Sequence, residues 1–260
     1  MDIFQAIIYG IVQGVGEFLP ISSTAHLKLL PWLFNWKDPG QAFDVALHLG
    51  TAAAVIIFFF NDWIKLIIAG FTNLKSSDGK LFWFIFIATI PGGIAGVLFS
   101  DLTDIFDRPL YIAISLIIMG ILLYIADKYG KSEAKIEQIG ITRSIIVGVS
   151  QVLAMIPGVS RSGITMTAGR SLGLTREAIA RFTFLMSTPI ILADGLYHIK
   201  GMGQVPDKFA FAVAIITAAI VGLLSIRFLL NYLKTKGFGI FVIYRFILGG
   251  FVIVMYFIRG

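Results

Sequence analysis

The 260-residue chain contains no cysteine. That excludes structural disulfides, thiolate nucleophiles and cysteine-ligated metals. Charge is scarce as well, at 14% Asp, Glu, Lys and Arg, where soluble domains carry about 25%. No train of alternating ten-residue strands is present, so a membrane β-barrel is excluded. No soluble domain can be drawn, because the longest polar stretch is roughly residues 127–143. No Lys or Arg precedes Lys28, so a cleavable signal peptide, which normally starts basic, is not expected. What fills the chain is apolar: 57% hydrophobic residues and a mean hydropathy of +0.89. The expectation is an all-α integral membrane protein with a single membrane domain over residues 1–260. The formal charge of +6 is spread over several short loops. It lacks the single basic stripe that a phosphate backbone needs, so membrane lipids are expected as partners and nucleic acid is not. Homo-oligomerisation is left open.

Six apolar runs are spanning candidates, at about 41–60, 82–99, 109–126, 182–198, 209–230 and 241–258. Each is long enough for a ~30 Å hydrocarbon core at ~1.5 Å per residue. Before each set of three lies a weaker segment, about 3–35 and 144–170. Pro20 with Ser22-Ser23 cuts the first, and Pro157-Gly158 with Ser160-Arg161-Ser162-Gly163 cuts the second. The arms after these breaks are too short to cross, which predicts re-entrant helix–loop–helix hairpins.

With hairpins returning to their own side, the loops alternate. Thirteen Lys and Arg, from Lys65 through Arg170, Arg176 and Arg181 to Lys236, fall on one side. Six fall on the other, Lys28, Lys37, Arg108, Lys200, Lys208 and Arg259, with the acidic residues Asp101, Asp104 and Asp107. The first side is therefore expected to be cytoplasmic. A hairpin plus three crossings per half leaves the second half upside down relative to the first. Repeat halves of 1–130 and 139–260 are predicted, forming an inverted repeat.

The two cut segments also match each other without gaps at an offset of 138 residues. Gly10 pairs with Gly148, Gln13 with Gln151, Ser22 with Ser160 and Thr24 with Ser162. Polar segments in a lipid-embedded chain persist where they are buried in protein or line a wet cavity. A matched pair in two halves points to a binding site at the repeat interface. The pair differs where chemistry would need it to: Glu17 faces Met155, Ser23 faces Arg161, and His26 faces Ile164.

Glu17 is an ionisable group in an apolar helix, with Gln13 four residues earlier on the same face. It reads as a polar pair gluing helices together or as a carboxylate facing a cavity, there a metal ligand or base. Ser22, Ser23 and Thr24 follow Pro20 and are placed to cap a restarting helix, which is also an anion site. His26, three residues after Ser23, can share its face. Hydroxyl, imidazole and carboxylate are the parts of nucleophilic catalysis. Arg161, flanked by Gly158, Ser160, Ser162 and Gly163, suits a phosphate held by amides and a guanidinium, the two glycines letting the backbone approach the ligand closely. Paired with Glu17, it could instead lock the two tips. Asp44, Asp194 and Arg245 are read as capping, snorkelling or pairing near span ends. Gly92-Gly93 and Gly249-Gly250 are read as close-packing positions.

The run Gln13-x-x-x-Glu17-Phe-Leu-Pro-Ile-Ser-Ser-Thr-x-His26 and the run Pro157-Gly-Val-Ser-Arg-Ser-Gly163 together resemble the undecaprenyl-pyrophosphate phosphatase, or bacitracin-resistance, family. The similarity covers the chain in length, hydropathy and motif placement. The resemblance implies hydrolysis of undecaprenyl pyrophosphate to undecaprenyl phosphate and phosphate, recycling the lipid carrier of peptidoglycan synthesis. It implies a bacterial inner-membrane enzyme acting at the extracytoplasmic face with a divalent cation, Mg²⁺ or Ca²⁺. It places Glu17, Ser23, His26 and Arg161 on the family's active-site positions, with Ser22, Thr24, Ser160 and Ser162 as neighbours. The family carries Glu or Gln at the first position of that motif. This chain has Gln13, so Glu17 and Gln13 are the expected metal ligands. Attack by Ser23 with His26 handling a proton, and direct attack by an activated water, both stay open. A polyprenyl-phosphate flippase is the alternative, since inverted repeats with broken helices mark transporters. An ion channel fits less well, for want of filter residues.

Overall fold

The computed structural model describes residues 1–99, 105–198 and 207–259. Asp101, Asp104 and Lys200 lie outside the described residues, and so does the side chain of Asp194. Among the described residues there is no strand, and eleven α-helices follow one another.

The first hairpin is α1 (Ile3–Phe18) and α2 (Ser23–Phe34). The second is α7 (Ile141–Ser150), a 3-10 turn over Gln151–Met155, and α8 (Arg161–Ser171). At ~1.5 Å per residue α2 is about 18 Å long, short of a bilayer's ~30 Å. Both hairpins fold back. Trp36, just past α2, packs its ring 5.8 Å from Tyr9 of α1. Arg143 at the start of α7 donates to Leu172 O just past α8 at 3.2 Å.

The six expected spans are present as α3 (Gln41–Phe58), α5 (Ser77–Phe99), α6 (Pro109–Tyr129), α9 (Arg176–His198), α10 (Lys208–Leu233) and α11 (Gly239–Arg259). Five of these, all but the more polar α9, are long and apolar enough to cross a membrane. Their outer faces expose large apolar side chains at helical spacing, such as Ile243, Ile247, Phe251, Val254 and Ile258 on α11. A continuous apolar stripe of this kind belongs against lipid.

One helix was not foreseen. α4 (Phe60–Thr72) continues from α3 after a break at Phe59. Asn61, Asp62 and Lys65 make the segment read as a loop, yet Ile64, Ile67, Ile68 and Phe71 are exposed along it. It packs on α5, where Trp83 donates to Gly70 O at 3.0 Å. Such amphipathic helices lie along a membrane surface.

The packing has a two-fold character. α10 lies along α1 and α3, α5 lies along α7 and α9, and α6 packs against α11. The matched residues do matched work. A Cβ on Gly10 would meet Ala214 O of α10 at 2.7 Å, and one on Gly148 would meet Ala88 O of α5 at 2.5 Å. Only glycine allows these approaches. Gln13 and Gln151 are both buried.

Two arginines depart from expectation. Arg170, taken as a loop cation, is 1% exposed. It donates to Gly130 O at 2.8 Å, Ser132 Oγ at 2.8 Å and Leu174 O at 2.6 Å, beside Asp127. Asp127 also takes Arg176 Nε at 2.6 Å and the Phe238 amide at 2.9 Å, joining the ends of α8, α9 and α11. Arg245, read as snorkelling or pairing near a span end, is fully buried two turns into α11 and bonds to both hairpin tips instead.

Candidate active site

Both tips restart their helices on a serine in the left-handed region. Ser22 has φ 75° and accepts from Ala25 N at 3.3 Å; Ser160 has φ 73° and accepts from Gly163 N at 3.1 Å. Each is an N-cap whose hydroxyl satisfies an otherwise orphan amide. The dihedral is costly for a residue with a Cβ, about 1–3 kcal/mol, and such strain gathers at functional sites.

The tips are stitched together. Gly158 N donates to Ser22 Oγ at 3.2 Å, and Ser162 Oγ donates to Leu19 O at 3.1 Å. Ser160 and Ser162 share a bond of 3.1 Å. Arg245 donates to Pro20 O (2.5 Å), Gly158 O (3.0 Å) and Val159 O (3.1 Å). These carbonyls are thereby turned away from the cavity, which leaves the two helix N-termini facing it.

Gly158 and Gly163, expected to admit a ligand, admit protein. A Cβ on Gly158 (φ 95°) would meet Ile112 O at 2.6 Å, and one on Gly163 would meet Arg245 Nη2 at 2.5 Å.

Between the tips lies a cavity of about 40 Å³ lined by Gly16, Glu17, Ser22, Ser23, Thr24, His48, Ala154, Ser160 and Arg161. Its centre is the Glu17 carboxylate, 8% exposed. Oε2 accepts from Ser23 Oγ at 2.9 Å and from Gln13 Nε2 at 3.2 Å. Oε1 lies 3.5 Å from Arg161 Nη1, which is buried without a hydrogen-bond partner. So Glu17, Ser23, Arg161 and Gln13 are brought together from α1, α2 and α8. Two helix N-termini and an incompletely satisfied guanidinium favour an anion here.

His26 is not where it was expected. Its Nδ1 lies 2.6 Å from Ser22 O, and its Nε2 2.6 Å from the Tyr244 hydroxyl. Its ring stacks on that of Tyr244 at 5.7 Å. Bonding back to Ser22 O turns the imidazole from the Ser23 face toward α11. The histidine on the cavity is His48 of α3, its Nε2 3.5 Å from Glu17 Oε2. Sequence reading missed it. A signal was available, because Asp44, His48 and Thr51 recur at the spacing of one helical face.

The profile of one protein family, described as Bacitracin resistance protein BacA, matches residues 6–251. The chain belongs to this family. A protein of Moorella thermoacetica named Undecaprenyl-diphosphatase is 49% identical over 260 residues, covering all of both chains. One of Caldicellulosiruptor bescii with the same name is 48% identical over 264 residues, again covering all of both. A third, from Pelotomaculum thermopropionicum, is 48% identical over 256 residues, 98% of this chain and 97% of its own. Within the BacA family the present chain is thus matched end to end.

Proposed function

We propose that this chain is an undecaprenyl-diphosphatase, releasing the terminal phosphate of undecaprenyl diphosphate and returning undecaprenyl phosphate to cell-wall synthesis. Relatives of that name match its whole length. The observation that carries the site is the meeting of Ser23, Glu17 and Arg161 in one buried cavity between two helix N-termini.

The polyprenyl tail stays in lipid while the diphosphate enters between the tips. The cavity of about 40 Å³ has room for a water or two. Entry therefore needs Arg161 to leave Glu17 and take the phosphate oxygens, which it can grip two at a time. Ser23 Oγ attacks the terminal phosphorus as its proton passes to Glu17 Oε2, and the bond to the bridging oxygen breaks to release the lipid phosphate. Glu17 hands that proton to the departing lipid phosphate, then takes one from an attacking water and returns it to Ser23 Oγ as phosphate leaves the serine. Positioning and charge do most of this work, as in other phosphoryl transfers. His26, with both nitrogens engaged, supports the tip rather than moving the proton.

A divalent cation fits the donor set in part. Glu17 offers a carboxylate, and Gln13 Oε1 is buried without a hydrogen-bond partner. Among the described residues no three His, Cys, Asp or Glu gather to hold a metal. Mg²⁺ or Ca²⁺ would take these two oxygens, with the rest from phosphate and water. Bound there, the ion would neutralise charge on the phosphoryl group.

The matched roles of Gly10 and Gly148, and of Ser22 and Ser160, support an inverted repeat with the tips meeting inside the bilayer. The loop charges support a bacterial inner-membrane protein whose first hairpin opens outward. The same symmetry would suit a lipid carrier. The asymmetry of the tips favours the enzyme, since Ser23 and Glu17 occur in only one. The experiment is to incubate detergent-solubilised protein with undecaprenyl diphosphate labelled in its terminal phosphate. Free phosphate and a labelled enzyme, the latter absent from Ser23→Ala, are expected. Phosphate without any trapped enzyme would favour direct water attack, and no phosphate would refute the assignment.

A further inference from the structure

We infer that His48 is a positioning residue for the Glu17–Ser23 pair, holding the carboxylate in the rotamer that takes the serine proton. The inference rests on the reading of that pair as the reacting groups. His48 Nδ1 lies 2.7 Å from Asp44 O. A carbonyl can only accept, so Nδ1 carries a proton and the ring is fixed with Nε2 toward α1. There Nε2 lies 3.5 Å from Glu17 Oε2, the same oxygen that accepts from Ser23 at 2.9 Å, and pairs with that carboxylate when the ring carries its second proton.

α3 reinforces the arrangement one turn on. Thr51 Oγ1 donates to His48 O at 2.9 Å and lies 3.5 Å from Gln13 Nε2, which itself donates to Glu17 at 3.2 Å. α3 is thus a backing plate behind α1. Thr51 steadies Gln13, His48 steadies Glu17, and together they keep Oε2 on Ser23 and leave Oε1 toward Arg161. A glutamate has three side-chain torsions. Without His48 the carboxylate is free to turn its second oxygen to Arg161 as well, which would take the base off the serine. His26 does not substitute, because Ser22 O and Tyr244 occupy both of its nitrogens.

Two amide substitutions separate the ring's two contacts. In His48→Asn the side-chain amide reaches Asp44 O, as Nδ1 does, but falls short of Glu17. In His48→Gln it extends to the place of Nε2. Phosphate release from a polyprenyl diphosphate is measured for both in detergent, with melting temperature as a folding check. Removing a supporting partner of a site residue lowers activity by roughly 10–100-fold. That loss is expected in kcat for His48→Asn, with KM changed by less than about threefold. His48→Gln is expected to recover activity to within about threefold of wild type. In a Glu17→Gln background, His48→Asn is expected to add no further loss, since it acts through Glu17. Equal activity of the two amide variants, or losses that multiply in the double variant, would overturn the inference. A wild-type protein releasing no phosphate would instead bring down the enzymatic assignment itself.

Discussion

Arg245 makes the strongest quantitative demand of the structure. It is fully buried, and no carboxylate pairs with it within 4 Å among the described residues. Its charge is answered by three carbonyls, Pro20 O, Gly158 O and Val159 O. Arg245→Lys keeps the charge but replaces a planar fork with a point donor. An ammonium at the end of a shorter reach serves about one of the three. Each buried carbonyl left unpaired costs about 1–3 kcal/mol, so the variant should lose about 2–6 kcal/mol. Net stabilities are about 5–15 kcal/mol, so the loss is a large fraction. For a chain of this size it corresponds to a melting temperature roughly 5–20 °C lower. Thermal unfolding in detergent micelles, followed by tryptophan fluorescence, measures it directly. Arg227→Lys, at an exposed position on α10, is the control and should shift little. Phosphate release should also fall, because the freed carbonyls turn back toward the cavity. An Arg245→Lys protein that melts within about 1 °C of wild type would refute the clamp.

Three further outcomes follow from the same geometry. Arg161→Lys should lower phosphate release by at least ~100-fold with little change in melting, because a single ammonium cannot grip two phosphate oxygens; full activity would remove the assigned role. Chelator should depress release at least ~10-fold, with Mg²⁺ or Ca²⁺ restoring it, and Gln13→Ala should raise the ion concentration needed; indifference to chelator would remove the cation. Gly249→Ala should destabilise, since its Cβ would meet Ile117 Cγ1 at 2.7 Å and Ala113 O at 3.0 Å, whereas Gly250→Ala meets nothing within 4 Å and should gain about 0.4–1 kcal/mol; melting curves of the two variants check the contrast.

What could be read in advance was local. Pro20 and Pro157 announce chain breaks because a serine able to cap a new helix follows within three residues, whereas Pro31, Pro91 and Pro189, without one, stay inside helices. The Ser-Ser and Ser-Arg-Ser runs after the first two announce restarts. Charge scarcity marks the class, and hydropathy places six of the helices with ends off by at most six residues, the largest misses at the starts of α5 and α9. The site was half legible: Gln13, Glu17, Ser23 and Arg161 do meet. What escaped depends on partners far apart in the chain. Arg245 was visible as a lone cation in an apolar span, but its acceptors lie 86 to 225 residues away. His48 finds Glu17 across two helices. His26 kept its helical spacing from Ser23 and still faced elsewhere, because its own backbone bond to Ser22 and a tyrosine on α11 decided its rotation. α4 was hidden by three polar residues that lie along one edge of an otherwise apolar helix.

The tip-to-tip clamp also has a consequence for biosynthesis. Pro20 and its guanidinium partner are 225 residues apart in sequence. At about 5–20 residues per second, the ribosome needs roughly 10–45 s to deliver the second after the first. Throughout that interval the first elbow lacks the Arg245 bond to Pro20 O. α11, which emerges after both hairpins, is therefore the keystone. A chain arrested before it is made should persist as a loosely inserted intermediate, open to membrane proteases.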